Sequence, residues 1–422
     1  MKHRIVVLGA GYAGAYVAGT LARRLSPADT EITVVNAVPD FVQRMRLHQL
    51  AAGRDIDAPK LVDVFAGTGI RLRVARVTVV DPERQTVAVA DDGGGGELGY
   101  DTLVYALGSH GAARAVPGAA EHAFDIAARP SALRLRERLD SLDGRGDGGR
   151  VVVVGDGLTG IETATEIAES RPGLSVALVA RGELGARLSA GARGHLRQAC
   201  DRLGITVLEH TCVEAVEATR VLCAGGTALA SGATVWAAGF AVSPIAAVAG
   251  LEVTGDGRIV VDRTMRSVSH PNVYAIGDSA YAIGDNGRPL PMSCASAGLI
   301  GRQAVEAIIG RLTGRKIANT KLLYTYNHIS LGRQGRDPAD DRRRRAGEAE
   351  VSERPEGRAG QGGHTRDVAV GHLAPDLRHA QAQAPPGRRA GCDRRCPVRP
   401  RLQPSRRPHP GRPWPGQSPC SR

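Results

Sequence analysis

Cysteine is scarce in this sequence, which contains seven in 422 residues. Those that precede residue 335 are Cys200, Cys212, Cys223 and Cys294. They form no C-x-x-C pair, which excludes a disulfide scaffold and predicts a reducing, cytoplasmic compartment. No apolar run reaches about 18 residues, so no transmembrane helix is predicted. The later pair Cys392 and Cys396 has no companion ligands at zinc-finger spacing, and no metal site is predicted.

Residues 335–422 lack lysine, isoleucine, tyrosine and phenylalanine, yet they contain 19 Arg and 13 of the 24 Pro. With 10 acidic residues they carry +9 of the net charge of +12. Such a composition cannot bury enough apolar surface to order itself, which predicts a low-complexity, disordered tail. Our hypothesis is that a frameshift near codons 333–336 replaced the native C-terminus, because GC-rich codons read out of frame give this amino-acid composition. The alternative is nucleic-acid binding by the basic tail, but Trp414 is its only aromatic residue, and stacking on bases is nearly absent.

A glycine turn of the form G-x-G-x-x-G opens the chain. The short apolar run Ile5–Val7 is followed by Gly9, Gly11 and Gly14, then by apolar residues at helical spacing and a second strand, EITVVN. In a strand–turn–helix unit these glycines permit a tight turn, close approach of the backbone to a pyrophosphate, and close packing of helix on strand. A turn of this kind predicts a bound adenine dinucleotide.

The same arrangement recurs 146 residues later, where Val151–Val154 precede Gly155, Gly157 and Gly160. Two such units predict two dinucleotides, as in an enzyme that passes a hydride from a nicotinamide to a flavin.

The ends of the two closing strands depart from the usual pattern, which has an acid for the ribose hydroxyls. The first strand ends in Asn36, whose amide hydrogen-bonds a ribose without charge assistance. The second ends at Ala180-Arg181. Arg181 is interpreted either as a ligand for the 2′-phosphate of NADPH or as a solvated loop residue, and both interpretations stay open.

Three further segments each join an apolar strand to glycine: YDTLVYALGSH (100–110), ATVWAAGF (233–240) and HPNVYAIGDSA (270–280). Together with the two glycine turns, their order resembles the FAD-dependent pyridine nucleotide-disulfide oxidoreductases, and most closely the type II NADH dehydrogenase branch. The resemblance covers roughly residues 2–334.

The resemblance implies two cofactor sites. The expected FAD site comprises Gly9, Gly11, Gly14, Asn36, Gly108, Gly277, Asp278, Ser293, Cys294 and Ala295. The expected NADH or NADPH site comprises Gly155, Gly157, Gly160, Glu162, Arg181 and Gly239, with Glu162 near the nicotinamide ribose as the one candidate catalytic residue. For Asp278 and Glu162 the alternatives are a common turn residue and a solvated acid.

Other features bear on the electron acceptor. The cysteine pair of the disulfide reductases is absent, and Cys294 is expected to be a small buried thiol. Quinone-reducing relatives usually carry Ala-Gln where this chain has Cys294-Ala295, which argues against quinone. The segment Asp40–Gly53 is implied to pass over the flavin, where Arg44, Arg46 and His48 either touch flavin or acceptor or form surface ion pairs.

The predicted fold is α/β, with two Rossmann-like, three-layer dinucleotide-binding domains. We expect an FAD-binding domain at 1–112 and 237–334, an inserted NAD(P)-binding domain at 113–236, and the disordered tail at 335–422. Contact with the inner face of a membrane is implied only if the native C-terminus were present.

The predicted function is an FAD-dependent NAD(P)H dehydrogenase that passes electrons to a quinone or another acceptor. A ferredoxin- or rubredoxin-type reductase and a truncated, inactive flavoprotein are the alternatives.

Overall fold

The computed structural model describes residues 1–112, 116–144, 149–324 and 329–332. The basic tail therefore lies outside the described residues. Within them the strands are β1 (His3–Leu8), β2 (Thr30–Asn36), β3 (Arg71–Val74), β4 (Arg76–Asp81), β5 (Thr86–Ala90), β6 (Gly96–Gly99), β7 (Thr102–Tyr105), β8 (Ser109–Gly111), β9 (Ala123–Phe124), β10 (Arg150–Val154), β11 (Ser175–Val179), β12 (Thr206–Leu208), β13 (Val213–Val216), β14 (Arg220–Cys223), β15 (Thr227–Ala230), β16 (Ala233–Trp236), β17 (Phe240–Val242), β18 (Ile259–Val260), β19 (Val273–Ala275) and β20 (Ala280–Tyr281). The helices are α1 (Tyr12–Arg24), α2 (Leu47–Ala51), α3 (Leu61–Val64), α4 (Ala119–His122), α5 (Arg129–Asp143), α6 (Leu158–Ser170), α7 (Ala190–Arg202), α8 (Ile245–Val248) and α9 (Cys294–Thr313).

The first sheet is parallel and has the strand order β19-β7-β1-β2-β3. Its central strand β1 is fully buried from Ile5 to Leu8, as the apolar run predicts for a parallel strand covered on both faces. The same hydrophobic core includes residues of α1, α9 and the antiparallel strands β4 and β5.

The second sheet repeats this plan in the order β12-β11-β10-β16-β9, again parallel. The registers match as well: Leu8 pairs with Val35 in the first sheet, and Val154 pairs with Val179 in the second. The repeat of the glycine turn in the sequence is therefore a repeat of the structural unit.

Each sheet is accompanied by three antiparallel strands, β4-β5-β6 in the first unit and β13-β14-β15 in the second. Strands β5 and β6 form an antiparallel hairpin around residues 91–95. The strands of the second sheet lie in the chain between β7 and β19 of the first sheet. The α/β fold with one Rossmann-like unit inserted in the other is thus confirmed, whereas the exact domain boundaries stay a prediction.

One segment crosses between the units. Helix α2 belongs by sequence to the first unit, but Leu47 and Leu50 lie in the second unit's core, against residues of α5 and α6. Arg171, which follows α6, donates to the carbonyl of Ala52 at 3.1 Å. Arg54 pairs with the buried carboxylate of Glu166 at 2.7 Å. These contacts tie the two units together.

In the described residues no helix is both long and apolar enough to cross a membrane. The same part of the chain contains no cluster of three or more His, Cys, Asp or Glu side chains suited to a metal ion.

Candidate functional site

The first glycine turn packs tightly on one side and is open on the other. A Cβ at Gly14 would lie 1.9 Å from the carbonyl oxygen of Gly9, so only glycine lets α1 approach β1 this closely. A Cβ at Gly11 would meet no atom within 4 Å in the part of the chain that the structure describes. Gly11 precedes α1 with no side-chain cap, which leaves backbone N–H groups directed at the open side. The turn therefore fits a pyrophosphate at a helix N-terminus.

The second glycine turn has the same geometry. A Cβ at Gly160 would lie 1.8 Å from the carbonyl oxygen of Gly155, whereas a Cβ at Gly157 would meet nothing within 4 Å. Helix α6 starts directly after Gly157, again without a side-chain cap. The chain thus carries two open, positively polarised helix ends of the kind that dinucleotide phosphates occupy.

The strand-end positions of the two units can be matched through the backbone. Gly9 N–H donates to Val35 O at 2.7 Å, and Gly155 N–H donates to Val179 O at 2.9 Å. Asn36 and Ala180, the next residue in each case, are therefore equivalent.

The two equivalent residues differ in what they contact. Asn36 accepts a hydrogen bond from Ala10 N–H at 2.9 Å and donates to Val38 O at 2.7 Å, so its amide holds the first turn in place. Ala180 offers only a methyl group. Strand β11 ends at Val179, so both Ala180 and Arg181 lie beyond it. Arg181, which follows Ala180, is exposed.

Side chains from three distant segments meet at the carboxyl end of the first sheet. Ser109 Oγ donates to Asp278 Oδ2 at 2.7 Å, which joins the YALGS segment to the GDS segment. Arg44 donates to Ser109 O at 2.5 Å and to Ser109 Oγ at 3.0 Å, and its guanidinium lies 5.1 Å from the ring centre of Phe240. A Cβ at Gly277 would lie 3.3 Å from Ala13, so this loop packs on the first turn of α1. Of the expected flavin residues, Gly277 and Asp278 are thereby placed beside the first turn of α1 and the segment that follows Gly108.

Arg46 and His48 behave differently from Arg44. Arg46 donates to the side chain of Gln49 at 3.0 Å, and His48 is buried within α2.

Helix α9 begins beside Asp278. Ser293 caps it by accepting from Ser296 N–H at 3.1 Å, while the N–H of Ala295 has no acceptor among the described residues. Cys294 is exposed in this cleft, so the expectation of a buried thiol is wrong. Although the residue is exposed, the protein atoms around its thiol partly desolvate it, which raises the pKa of Cys294 to about 11, and the charge of Asp278 acts in the same direction.

The second unit reaches the same cleft. The charges of Asp278, Arg44 and Glu162 all act on the pKa of the Cys294 thiol, so Glu162 of α6 lies in the neighbourhood of the start of α9. Strands β8 and β17 pair antiparallel, and Ala112 N–H donates to Gly239 O at 3.2 Å. The segments that follow Gly108 and Gly239 therefore pair with each other, with Gly239 beside Ala112 and Gly108 at the opposite end of the ladder.

A contact that the sequence did not predict holds Glu162. Ser330 N–H donates to Glu162 Oε1 at 3.0 Å, and Thr165 Oγ1 donates to Ser330 O at 3.2 Å. Ile329 and Leu331 on either side are buried in the second unit's core. No local sequence signal shows that residues 329–332 contact α6, because their partners on that helix lie more than 160 residues earlier in the chain.

Comparison with known proteins gives the family. The family model described as pyridine nucleotide-disulphide oxidoreductase matches residues 3–301, well over half of the chain. The chain belongs to this family.

Two relatives and one solved structure are similar to this chain. The NADH dehydrogenase-like protein MT1860 of Mycobacterium tuberculosis is 33% identical, over 79% of this chain and 86% of that protein. The type II NADH:quinone oxidoreductase of Staphylococcus haemolyticus is 26% identical, over 78% of this chain and 88% of that protein. An engineered water-forming NADPH oxidase, derived from the Lactobacillus brevis NADH oxidase, matches with a TM-score of 0.63 and 21% identity, over 78% of this chain and 73% of that one.

The two open glycine turns, the flavin-side cluster and family membership agree. This member of the pyridine nucleotide-disulphide oxidoreductases is an FAD-dependent NAD(P)H oxidoreductase, as the motif order predicts.

Proposed function

We propose that the chain is an NAD(P)H dehydrogenase in which FAD is held at the first glycine turn and the nicotinamide dinucleotide at the second. The single observation that carries the proposal is the pair of equivalent turns, in which a Cβ at Gly11 or Gly157 would meet no atom of the described residues within 4 Å. In both turns the neighbouring helix begins without a side-chain cap. Two polarised helix ends in one chain suit two pyrophosphates.

FAD bound there would supply the flavin N5 as the acceptor of a hydride from the nicotinamide C4. The residues of the chain do the positioning. Asp278 and Ser109 form a hydrogen-bonded pair that is oriented by Arg44, and we propose that they bind the ribityl and pyrophosphate region. The free N–H of Ala295 at the start of α9 is placed to stabilise negative charge on a reduced ring. Because hydride transfer needs close and aligned rings, positioning is most of the catalysis.

Glu162 is the proposed nicotinamide-side residue. Its carboxylate is held by Ser330 N–H at the mouth of the cleft, near enough to Cys294 to affect the pKa of that thiol. A carboxylate at this point accepts hydrogen bonds from a nicotinamide ribose or carboxamide. We therefore assign it a binding and orienting role.

NADPH is included as a donor beside NADH. In the engineered NADPH oxidase an introduced alanine replaces an aspartate, an introduced arginine comes next, and another introduced arginine follows six positions later. This chain has Ala180, Arg181 and then Arg187 at the same spacing. The correspondence supports NADPH binding.

Quinone is the proposed acceptor, because the type II NADH:quinone oxidoreductase is among the relatives. Cys294-Ala295 stands where quinone-reducing relatives usually have Ala-Gln, which keeps a small iron–sulfur protein as the second candidate. We place the enzyme in the cytoplasm, and quinone reduction would require it to reach the inner face of a membrane.

The test starts with purified protein reconstituted with FAD. Stoichiometric flavin binding and anaerobic bleaching of the flavin by NADH or NADPH would support the proposal. Steady-state assays with a short-chain quinone and with a small ferredoxin then separate the two acceptors. Protein that binds no flavin would rule the proposal out.

A further inference from the structure

One short segment reaches from the expected flavin site to the core of the second unit. It starts at Arg44, which donates to Ser109 O at 2.5 Å and to Ser109 Oγ at 3.0 Å. The Arg44 guanidinium also lies 4.0 Å from Asp278 Oδ2. Helix α2 follows, and its residues Leu47 and Leu50 are buried in the second unit's core. The segment therefore has one end beside Asp278 and the other end inside the second unit.

The helix that α2 meets there is α6, whose N-terminus forms part of the second glycine turn. Helix α6 begins directly after Gly157. Its apolar residues Ile161 and Ala164 belong to the same buried cluster as Leu47 and Leu50 of α2. Because protein interiors are close-packed, a displacement of one of these helices moves the other.

Polar contacts join the same two helices at their C-terminal ends. Arg54, just after α2, donates through Nε to the buried carboxylate of Glu166 at 2.7 Å. Glu166 lies four residues after Glu162, so the two carboxylates share one face of α6. Arg171, which follows α6 and is buried, donates to Ala52 O at 3.1 Å. A movement of α6 would therefore break these contacts unless α2 followed it.

We infer that α2 couples the two cofactor sites, so that a dinucleotide bound at the second glycine turn makes the chain hold FAD more tightly. The inference rests on the proposed function of the two turns. A pyrophosphate fixes the start of α6, α6 fixes α2, and α2 holds Arg44 against Ser109 and beside Asp278. The conformational entropy of ordering these contacts is lost when the first ligand binds, so the second ligand binds to an ordered chain.

The experiment uses ADP-ribose, which contains the adenosine and pyrophosphate groups of the coenzyme but no nicotinamide. It occupies the second site without a ring that stacks on the flavin, so direct contact between the two rings does not contribute. FAD-loaded protein is diluted with and without saturating ADP-ribose, and the fluorescence of the released flavin gives the Kd of FAD. Calorimetry on the FAD-loaded protein measures the binding of ADP-ribose itself.

The test variant is Arg54→Gln, which shortens the side chain that bonds Glu166 and touches neither glycine turn. Arg136→Gln is the matched control, because Arg136 of α5 also pairs with the segment after α2, through Asp55, but that acid is almost fully exposed. Glu166→Gln removes the charge of the same pair from the α6 side and serves as the test variant if Arg54→Gln does not fold. Thermal unfolding is followed for all of them.

Saturating ADP-ribose is expected to lower the Kd of FAD at least about fivefold in the wild type, within the usual range of coupling between two sites. The control should show the same factor. In Arg54→Gln the Kd of FAD should change by less than about twofold, while calorimetry still shows bound ADP-ribose.

A Kd of FAD that bound ADP-ribose leaves unchanged or raises in the wild type would overturn the inference and leave the proposed function intact. Full coupling in both Arg54→Gln and Glu166→Gln would also overturn it, because the contacts of α2 would then not carry the effect. Protein that binds FAD but no ADP-ribose would refute the proposed role of the second turn and the inference with it.

Discussion

Replacing Gly157 by alanine is expected to weaken NAD(P)H binding while leaving the fold and the flavin intact. Gly157 has φ of −71°, which any L-residue adopts, and its added Cβ would meet no protein atom within 4 Å. The methyl group would instead occupy the space that the proposed pyrophosphate requires. Overpacking by one such group costs about 1–3 kcal/mol. That free energy corresponds to a roughly 5- to 150-fold increase in Kd.

The assay is an anaerobic titration of the bound flavin with NADPH and NADH, with thermal unfolding followed in parallel. Gly160→Ala is the contrasting variant, because its Cβ would lie 1.8 Å from a backbone oxygen of the protein itself and should lower the Tm. Gly11→Ala is the counterpart in the first turn and should impair FAD binding instead. An unchanged Kd for both coenzymes in Gly157→Ala would refute the assignment of the second turn.

Substitutions at three sites and one labelling experiment test other parts of the structure. Ser330→Pro removes the N–H that holds the carboxylate in the first turn of α6 and should raise the KM for NAD(P)H, whereas Ser330→Ala, which keeps the N–H, should not. Arg54→Leu leaves the carboxylate of Glu166 buried without its guanidinium and should cost about 1–3 kcal/mol of unfolding free energy. Arg136→Leu removes a pair with an almost fully exposed acid and should change stability by less than about 0.5 kcal/mol in denaturant melts. Because the pKa of Cys294 is raised to about 11, only about one thiol in a thousand is ionised at pH 8. Alkylation of Cys294 by iodoacetamide, measured by mass spectrometry, should therefore be slow at pH 8 and become about tenfold faster per pH unit. Fast labelling at pH 8 would contradict the raised pKa.

The sequence predicted those features that local chemistry determines. The glycine spacing predicted both turns and the helices that follow them. Asn36 was predicted at the strand end, and β2 ends there.

Features that depend on distant contacts were not predictable in this way. The hydrogen bond from Ser330 to Glu162 joins residues 168 positions apart, and the bond between Ser109 and Asp278 spans 169. Nothing within α2 indicates that it packs in the core of the other unit, because its apolar residues fit either core equally well. The exposure of Cys294 likewise depends on which segments line the cleft, and the apolar character of a thiol gave no information about it.

The central claim is that one chain holds a flavin and a nicotinamide dinucleotide at its two turns and passes a hydride between them. The most direct measurement is the absorbance of the FAD-reconstituted protein during anaerobic addition of NADPH or NADH. The account predicts one flavin per chain and complete loss of the yellow band with stoichiometric reductant. A flavin that binds but stays oxidised with both coenzymes would contradict it.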